Sequence, residues 1–426
     1  MPNFNIIELF SGIGSQLKAL DNIGVKTNVV NICEWDIHAF VAYDAIHNST
    51  QNLPEVETMS KHEILDRLIK YNLSNNGKQQ MQFKVLRSYS YEVLKRILSA
   101  IIRCNNVVDI NQLNGEDISQ NIDLLTYSFP CQDLSNVGAF HGYNKGIDKD
   151  SGSRSSLLWQ VGRVLEEMKD SSRKLPKFLL LENVPSLLAP RHSANFDIWK
   201  SDLEELGYYN KIYHLNAVNY GTPQNRPRLI MISVLLPKSK SKKISTITQL
   251  DEYFKTHDLA NDEYIKELDI KKIPLKKLLR TNYSNDKLFQ EAFECQPNDT
   301  ISRRAIWNEN PKLIDEKGDY NYKIIRTITT KQDRNPNSGN LYFDYEGNTK
   351  SKFRYLTPRE CFLFMGFDER DFDKVIAENP EFHKNATLFP RDKLIRMAGN
   401  SIPVKMLEQV FQQIVYINAN VLTDKI

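Results

Sequence analysis

The sequence is poor in the features that would commit it to a membrane, a secreted scaffold or a metal site. No run of about 18 apolar residues occurs, so nothing in it reads as a membrane-spanning helix. The start, MPNFNIIELFSG, lacks a basic segment followed by a long apolar one, which predicts no secretory signal. The 5 cysteines, at positions 33, 104, 131, 295 and 361, are scattered, odd in number and form no CxxC pair. That spacing argues against a disulfide framework and against a metal site, and it favours a reducing, cytoplasmic setting. Neither sign of charge dominates: 56 Lys and Arg against 53 Asp and Glu leave a net charge of +3. A mildly basic chain permits a polyanionic partner without requiring one. A GK[ST] phosphate loop and an internal repeat are both missing.

What is present is a regular alternation. With 41% hydrophobic content, 426 residues can bury a large core. The segments FNIIELF (4–10), TNVVNICEW (27–35), NVVDI (106–110), IDLLTYS (122–128), KFLLLEN (177–183) and RLIMISVLL (228–236) predict strands. Helical spacing covers 36–48, with Asp36 as N-cap, and 155–168. Strands separated by helices predict parallel βαβ units, hence an α/β fold with a doubly wound, mostly parallel sheet. Residues 51–105 interrupt the rhythm with polar, Lys- and Gln-rich helical sequence and read as a solvated helical insertion. From about 237 the composition turns basic and turn-rich, which predicts a second, smaller domain of short strands and loops. The segment 401–421 reads as an amphipathic helix. The expected boundaries are 1–240 for the first domain, 241–390 for the second with its hinge, and 391–426 for a segment returning to the first.

Ligands of doubly wound sheets bind outside the carboxyl ends of the strands, so those ends carry the functional signal. After the first comes Phe10-Ser11-Gly12-Ile13-Gly14, two glycines that let the backbone turn tightly and approach a ligand. The third glycine of the dinucleotide fingerprint is replaced by Leu17. The second strand ends at Glu34-Trp35, and Glu34, about 20 residues beyond Gly14, suits a carboxylate accepting from both ribose hydroxyls. Trp35 is placed to lie against an adenine ring, and Asp109, at the third strand end, to meet its amino group. The plain alternatives are a simple turn at 10–14 and an acid facing a helix dipole at 34. Without a phosphate loop, an adenosine lacking a pyrophosphate fits better than NAD or ATP, and S-adenosylmethionine is such a molecule.

The fourth strand end carries Pro130-Cys131, where proline directs the chain off the sheet and the thiol stands past the strand rather than within it. The fifth delivers Glu182, and Arg226 and Arg228 precede another strand. A buried thiol, a surface acid or a basic loop would each explain one of these; reactive groups gathered at one sheet edge point to a site.

ELFSGIGS, EWD, SFPCQDLS, SRSSLLW, ENVPSLL, QNRPRLIMI, RYLTPRECFLFMGF and MAGNSIPV resemble, in that order, the successive motifs of the cytosine-C5 DNA methyltransferases, with details similar to the bacterial restriction–modification type. The resemblance runs from residue 6 to the C-terminal helix, excepting the 51–105 insertion and a variable region. It implies a Rossmann-like, S-adenosylmethionine-dependent enzyme that releases S-adenosylhomocysteine. Cys131 would attack cytosine C6, Glu182 would act at N3, and Arg228 would meet the carbonyl oxygen. Arg226, grouped with these catalytic residues, would support the loop or the DNA backbone. The implied cofactor residues are Phe10, Gly12, Ile13, Gly14, Glu34, Trp35, Asp109, Ile110, Pro130, Leu157, Asn400, Ser401 and Ile402.

A cytosine inside a duplex hides C5 and C6, so it must be flipped out, and the loop 132–154 is the candidate to close behind it. Region 241–352 matches the position of a target recognition domain, in which Lys331, Gln332 and Arg334 are expected to read DNA. The implied partner is double-stranded DNA, with a cognate restriction endonuclease as functional counterpart and a monomeric enzyme. Two alternatives remain open at this point. One is a transfer-RNA enzyme of the same family, whose Cys-Phe-Thr signature has no match here, since Cys361-Phe362 is followed by Leu363. The other is a catalytically silent DNA-binding regulator, which would have no need of Cys131, Glu182 and Arg228 together.

Overall fold

A computed structural model describes residues 3–118, 121–130, 154–332, 337–377, 379–383 and 386–422. They form two units, Met1–Leu215 with Pro227–Asp269 and Leu407–Ile426, and Asn216–Arg226 with Ile270–Met406.

The first unit begins with β1 (Asn3–Leu9), α1 (Ser15–Asn22), β2 (Lys26–Cys33) and α2 (Ile37–His47). Four helices follow: α3 (Pro54–Glu57), α4 (Lys61–Leu68), α5 (Phe83–Arg87) and α6 (Tyr91–Arg103). Then come β3 (Leu124–Tyr127), α7 (Leu158–Asp170), β4 (Phe178–Asn183), α8 (Pro190–Glu205) and β5 (Tyr208–Asn216). After β6 (Gln224–Asn225), a short strand of the second unit, β7 (Pro227–Leu235), α9 (Lys240–Thr256) and α10 (Asp262–Glu267) complete the central part. The sheet order is β2-β1-β3-β4-β7-β5. β1 pairs in parallel with β2 and β3, and β3 with β4, whereas β7 runs antiparallel to β4. The mostly parallel doubly wound sheet is therefore as expected. Every residue of β3 (LLTY) and β4 (FLLLEN) is buried, as strands covered on both faces require. Asp36 caps α2 by accepting from the His38 N–H at 3.1 Å.

Several expectations need correction. NVVDI is not a strand: only an isolated bridge joins Asn106 to Ile32, and Val108 turns to φ 70. There the Asn106 side chain replaces a backbone ladder, accepting from the N–H groups of Glu34 and Val108 and donating to the Glu34 carbonyl. The insertion is not simply solvated, because α6 buries Val93, Leu94, Ile97, Leu98 and Ile101. Its Arg96 and Arg103 both donate to the fully buried Asp44 of α2 at 2.6 Å. The boundary expected at 240 falls at 269, since α9 packs within the first unit. Phe254 stacks on Tyr209 of β5, and Tyr253 on Tyr416 of α16 (Val404–Asn420).

The second unit is more helical than short strands and loops. It holds α11 (Asp286–Glu294), α12 (Ile301–Glu309), α13 (Pro358–Met365), α14 (Glu369–Ala377) and α15 (Arg391–Asn400). A three-stranded sheet joins β8 (Lys312–Ile314), β10 (Asn340–Tyr342) and β11 (Phe353–Tyr355), while β9 (Ile325–Arg326) pairs with β6. Residues 391–406, expected to return to the first domain, belong here.

Candidate active site

The turn after β1 is built from left-handed backbone. Phe10, Gly12 and Gly14 have φ of 57, 55 and 79. For a phenylalanine that conformation costs about 1 kcal/mol, and it is fixed by the Phe10 N–H donating to the Cys33 carbonyl at 2.7 Å. A side chain at Gly14 would meet His47 Nε2 at 2.3 Å, whereas one at Gly12 would meet nothing within 4 Å. Gly14 thus lets α2 close on the turn, where His47 Nε2 lies 3.1 Å from the Ile13 carbonyl oxygen. Gly12 borders open space.

Glu34 accepts from the Gly12 N–H at 3.0 Å and from the Asp36 N–H at 2.9 Å, one on each carboxylate oxygen. The amide that a pyrophosphate would need is thereby given to a carboxylate, which repels phosphate. An adenosine without a pyrophosphate suits this turn better, and S-adenosylmethionine fits that description. Trp35 is half-buried beside Glu34. Asp109, also half-buried, caps the short turn beginning at the buried Ile110. Pro130 and Leu157 are half-buried too.

At the end of β4, Glu182 Oε1 receives Arg228 Nε at 2.7 Å, and both side chains are largely buried. Beside it, Asn183 Nδ2 donates to the Phe129 carbonyl at 3.1 Å. Asn183 therefore ties the chain just before Pro130 to the strand that carries Glu182. Cys131, the loop 132–153 and Arg334 lie outside the described residues. The other cysteines, Cys33, Cys104, Cys295 and Cys361, are all buried. Burial pushes all four thiols up, Cys295 to about 12, so none is a ready thiolate.

Two expected site residues are corrected by burial. Arg226 is fully buried and donates to the carbonyls of Ile328, Gly399 and Ser401 at 2.7 to 2.8 Å. It supports the second unit and has no surface for DNA or a reacting base. Gln332 is 1% exposed, and its Oε1 accepts from Ser338 Oγ, so it cannot read a base edge. Lys331 is exposed. In the second unit Asn400 is exposed, while Ser401 and Ile402 are buried. Sequence reasoning missed His47 and the holding role of Asn183, which stood in the quoted ENV motif. It also missed Asn72 of the insertion, which donates to Asp109 at 2.7 Å and announces itself by no motif.

A mostly parallel doubly wound sheet, with a left-handed glycine turn after β1 whose Gly12 amide donates to Glu34, defines a Rossmann-like α/β fold. The C-5 cytosine-specific DNA methylase family matches residues 77–416. An orphan methyltransferase, M.SssI, of Spiroplasma monobiae is 32% identical over 96% of this chain and 96% of its own length. A type II methyltransferase, M2.ScrFI, of Lactococcus lactis subsp. cremoris is 30% identical over 96% of this chain and 98% of its own. In fold, the solved S. pombe Dnmt2 methyltransferase superposes with a TM-score of 0.56 at 17% identity, covering 98% of this chain and 99% of that one. The chain belongs to the C-5 cytosine-specific DNA methylases. It is an S-adenosylmethionine-dependent DNA (cytosine-5-)-methyltransferase, and neither the transfer-RNA nor the silent-regulator alternative is favoured. Among the described residues no helix is long and apolar enough to cross a membrane.

Proposed function

We propose that this enzyme flips a cytosine out of double-stranded DNA at one short sequence and methylates C5 through a transient bond between Cys131 and C6. The observation that carries this reading is the Glu182–Arg228 pair, 2.7 Å apart at a strand end that Asn183 ties to the residue before Pro130-Cys131. The four buried, protonated thiols support it further by leaving Cys131 as the candidate nucleophile.

The chemistry needs these groups. Cytosine C5 is a poor nucleophile until a thiolate adds to C6 and makes the ring an enamine. Glu182 assists that addition by a proton or a strong hydrogen bond at N3. Arg228 fixes the Glu182 carboxyl and is suited to the cytosine carbonyl oxygen. Bound S-adenosylmethionine supplies an electrophilic methyl group. Loss of the C5 proton and departure of the Cys131 sulfur then restore the aromatic ring and the enzyme. Phe10, Gly12, Ile13, Glu34, Trp35, Asp109 and Ile110 form the adenosine side of the cofactor site, and Pro130 and Leu157 join it by resemblance.

Residues 270–352 act as the target recognition region, with Lys331 and Arg334 on the DNA. The relative named a type II methyltransferase supports action beside a cognate endonuclease, and the one named an orphan methyltransferase supports a solitary enzyme. Expression in a methylation-free host followed by genome-wide bisulfite sequencing tests the reading. One short motif with protected cytosines is expected; uniform conversion would contradict it.

A further inference from the structure

The insertion carries a loop, residues 71–82, whose backbone is clipped to the end of the second strand. The Ser74 N–H donates to the Trp35 carbonyl at 2.8 Å, and the Ile37 N–H to the Ser74 carbonyl at 2.9 Å. Ser74 is fully buried, its Oγ donates to the Gln79 carbonyl at 2.7 Å, and the Gly77 N–H donates back to that Oγ at 3.0 Å. The turn is thus built at a fixed place beside Trp35. It sets Asn72 against Asp109: Asn72 Nδ2 donates to Asp109 Oδ2 at 2.7 Å, and Gln80 Nε2 donates to Asn72 Oδ1 at 2.9 Å. Gln80 therefore orients the amide, and the amide orients the acid.

An ionised carboxylate offers about four acceptor positions. Asp109 Oδ1 accepts twice, from the N–H and the Nδ2 of Asn111. Among the described residues Oδ2 accepts once, from Asn72. The acceptor position that remains lies on the oxygen that Asn72 holds. An exocyclic amino group of an adenine completes the set there, whereas the carbonyl of a hypoxanthine would face the carboxylate with no proton between them.

We infer that Asn72 is a positioning residue of the cofactor site: it turns Asp109 Oδ2 toward the adenine amino group, so the insertion sets the enzyme's selectivity for the base of its cofactor. This rests on the adenosine site proposed above. Its test needs no turnover. The full-length protein and its Asn72→Ala, Gln80→Ala and Asp109→Ala variants are titrated calorimetrically with S-adenosylhomocysteine and S-inosylhomocysteine.

Wild type is expected to prefer the adenosyl ligand by about tenfold or more, and Asp109→Ala to lose that preference. Asn72→Ala lowers the preference by about fivefold, with affinity for the inosyl ligand unchanged within about twofold. Gln80→Ala, at an exposed position that puts no fold at risk, shifts it the same way by less. Wild-type preference in Asn72→Ala, or equal weakening of both ligands, would overturn the inference while the adenosine site stands through Asp109→Ala. Unchanged affinities in Asp109→Ala would sink that site and the inference with it.

Discussion

In the first unit the central strands β3 and β4 are almost wholly apolar and wholly buried. In the second, arginines are buried beside the apolar core: Arg226, Arg354 and Arg359 are among the largest fully buried side chains of the molecule. Arg354 meets both oxygens of Glu360 at 2.8 Å, and Glu360 in turn accepts from the backbone N–H groups of Thr357 and Arg280. Arg359 reaches Glu291, Glu369 and Asp373. The central sheet of the first unit is held by area removed from water, which is non-directional and tolerant, with the Asp44 cluster confined to the contact of α2 with the insertion. The second depends on a few charge pairs whose members cannot be removed singly. The proposed chemistry follows the same division, with Glu182 and Arg228 in the first unit and Lys331 in the second.

The largest effect should come from breaking that polar core. Arg354→Met leaves Glu360 charged and buried without its partner, a loss of about 3–5 kcal/mol by urea denaturation. Replacing Glu360 by Gln in the same chain should recover much of it, which no apolar core pair would do. A single change that costs under about 1 kcal/mol would remove the contrast between the units.

A smaller effect probes Glu8, a strongly perturbed acid of the first unit. Burial pushes the Glu8 carboxyl up to about 7, partly offset by the hydrogen bond from Tyr43, with nearby Asp21 raising it further. Such a group holds its proton more tightly folded than unfolded, where its ordinary value is 4.5. Its contribution is complete below about 4.5 and is lost as pH rises towards 7. Glu8→Gln removes this dependence, so the variant should gain up to about 3 kcal/mol on wild type between pH 4 and pH 8. Parallel stability curves would show that Glu8 does not titrate in this range.

The legibility of the sequence divides along the same line. Most strand runs and the Asp36 cap were readable because apolar periodicity and capping are local properties. Strand β5 (YYNKIYHLN) was not, since only Tyr208, Tyr213 and Leu215 are buried and the rest alternates too weakly for an edge strand to stand out. NVVDI misled because one asparagine side chain does the work of a ladder. Gln332 misled because a polar residue in a basic loop reads as exposed, although Ser338 buries it from only six residues away. Arg226 was grouped with the reacting residues because its carbonyl partners lie more than 100 residues along the chain. Asn72 was invisible for the same reason, its partner Asp109 lying far along the chain.

The smallest expected effect separates surface from support in that loop. Lys331→Ala should lower the slope of log affinity against log salt by about 0.9 and weaken DNA binding a few-fold, with stability unchanged. Gln332→Ala should do the reverse, destabilising the unit and leaving the salt slope alone. Identical behaviour of the two variants would put both on the same side of that divide.

Covalent capture tests the reacting thiol most directly. The full-length enzyme is incubated with S-adenosylmethionine and duplexes carrying 5-fluorocytosine at the sequence found by methylation mapping, then digested and weighed. A denaturant-resistant adduct is expected on the peptide containing Cys131, and Cys131→Ser should form none while still binding S-adenosylhomocysteine. An adduct on any other residue, or none with the intact enzyme, would contradict the assignment.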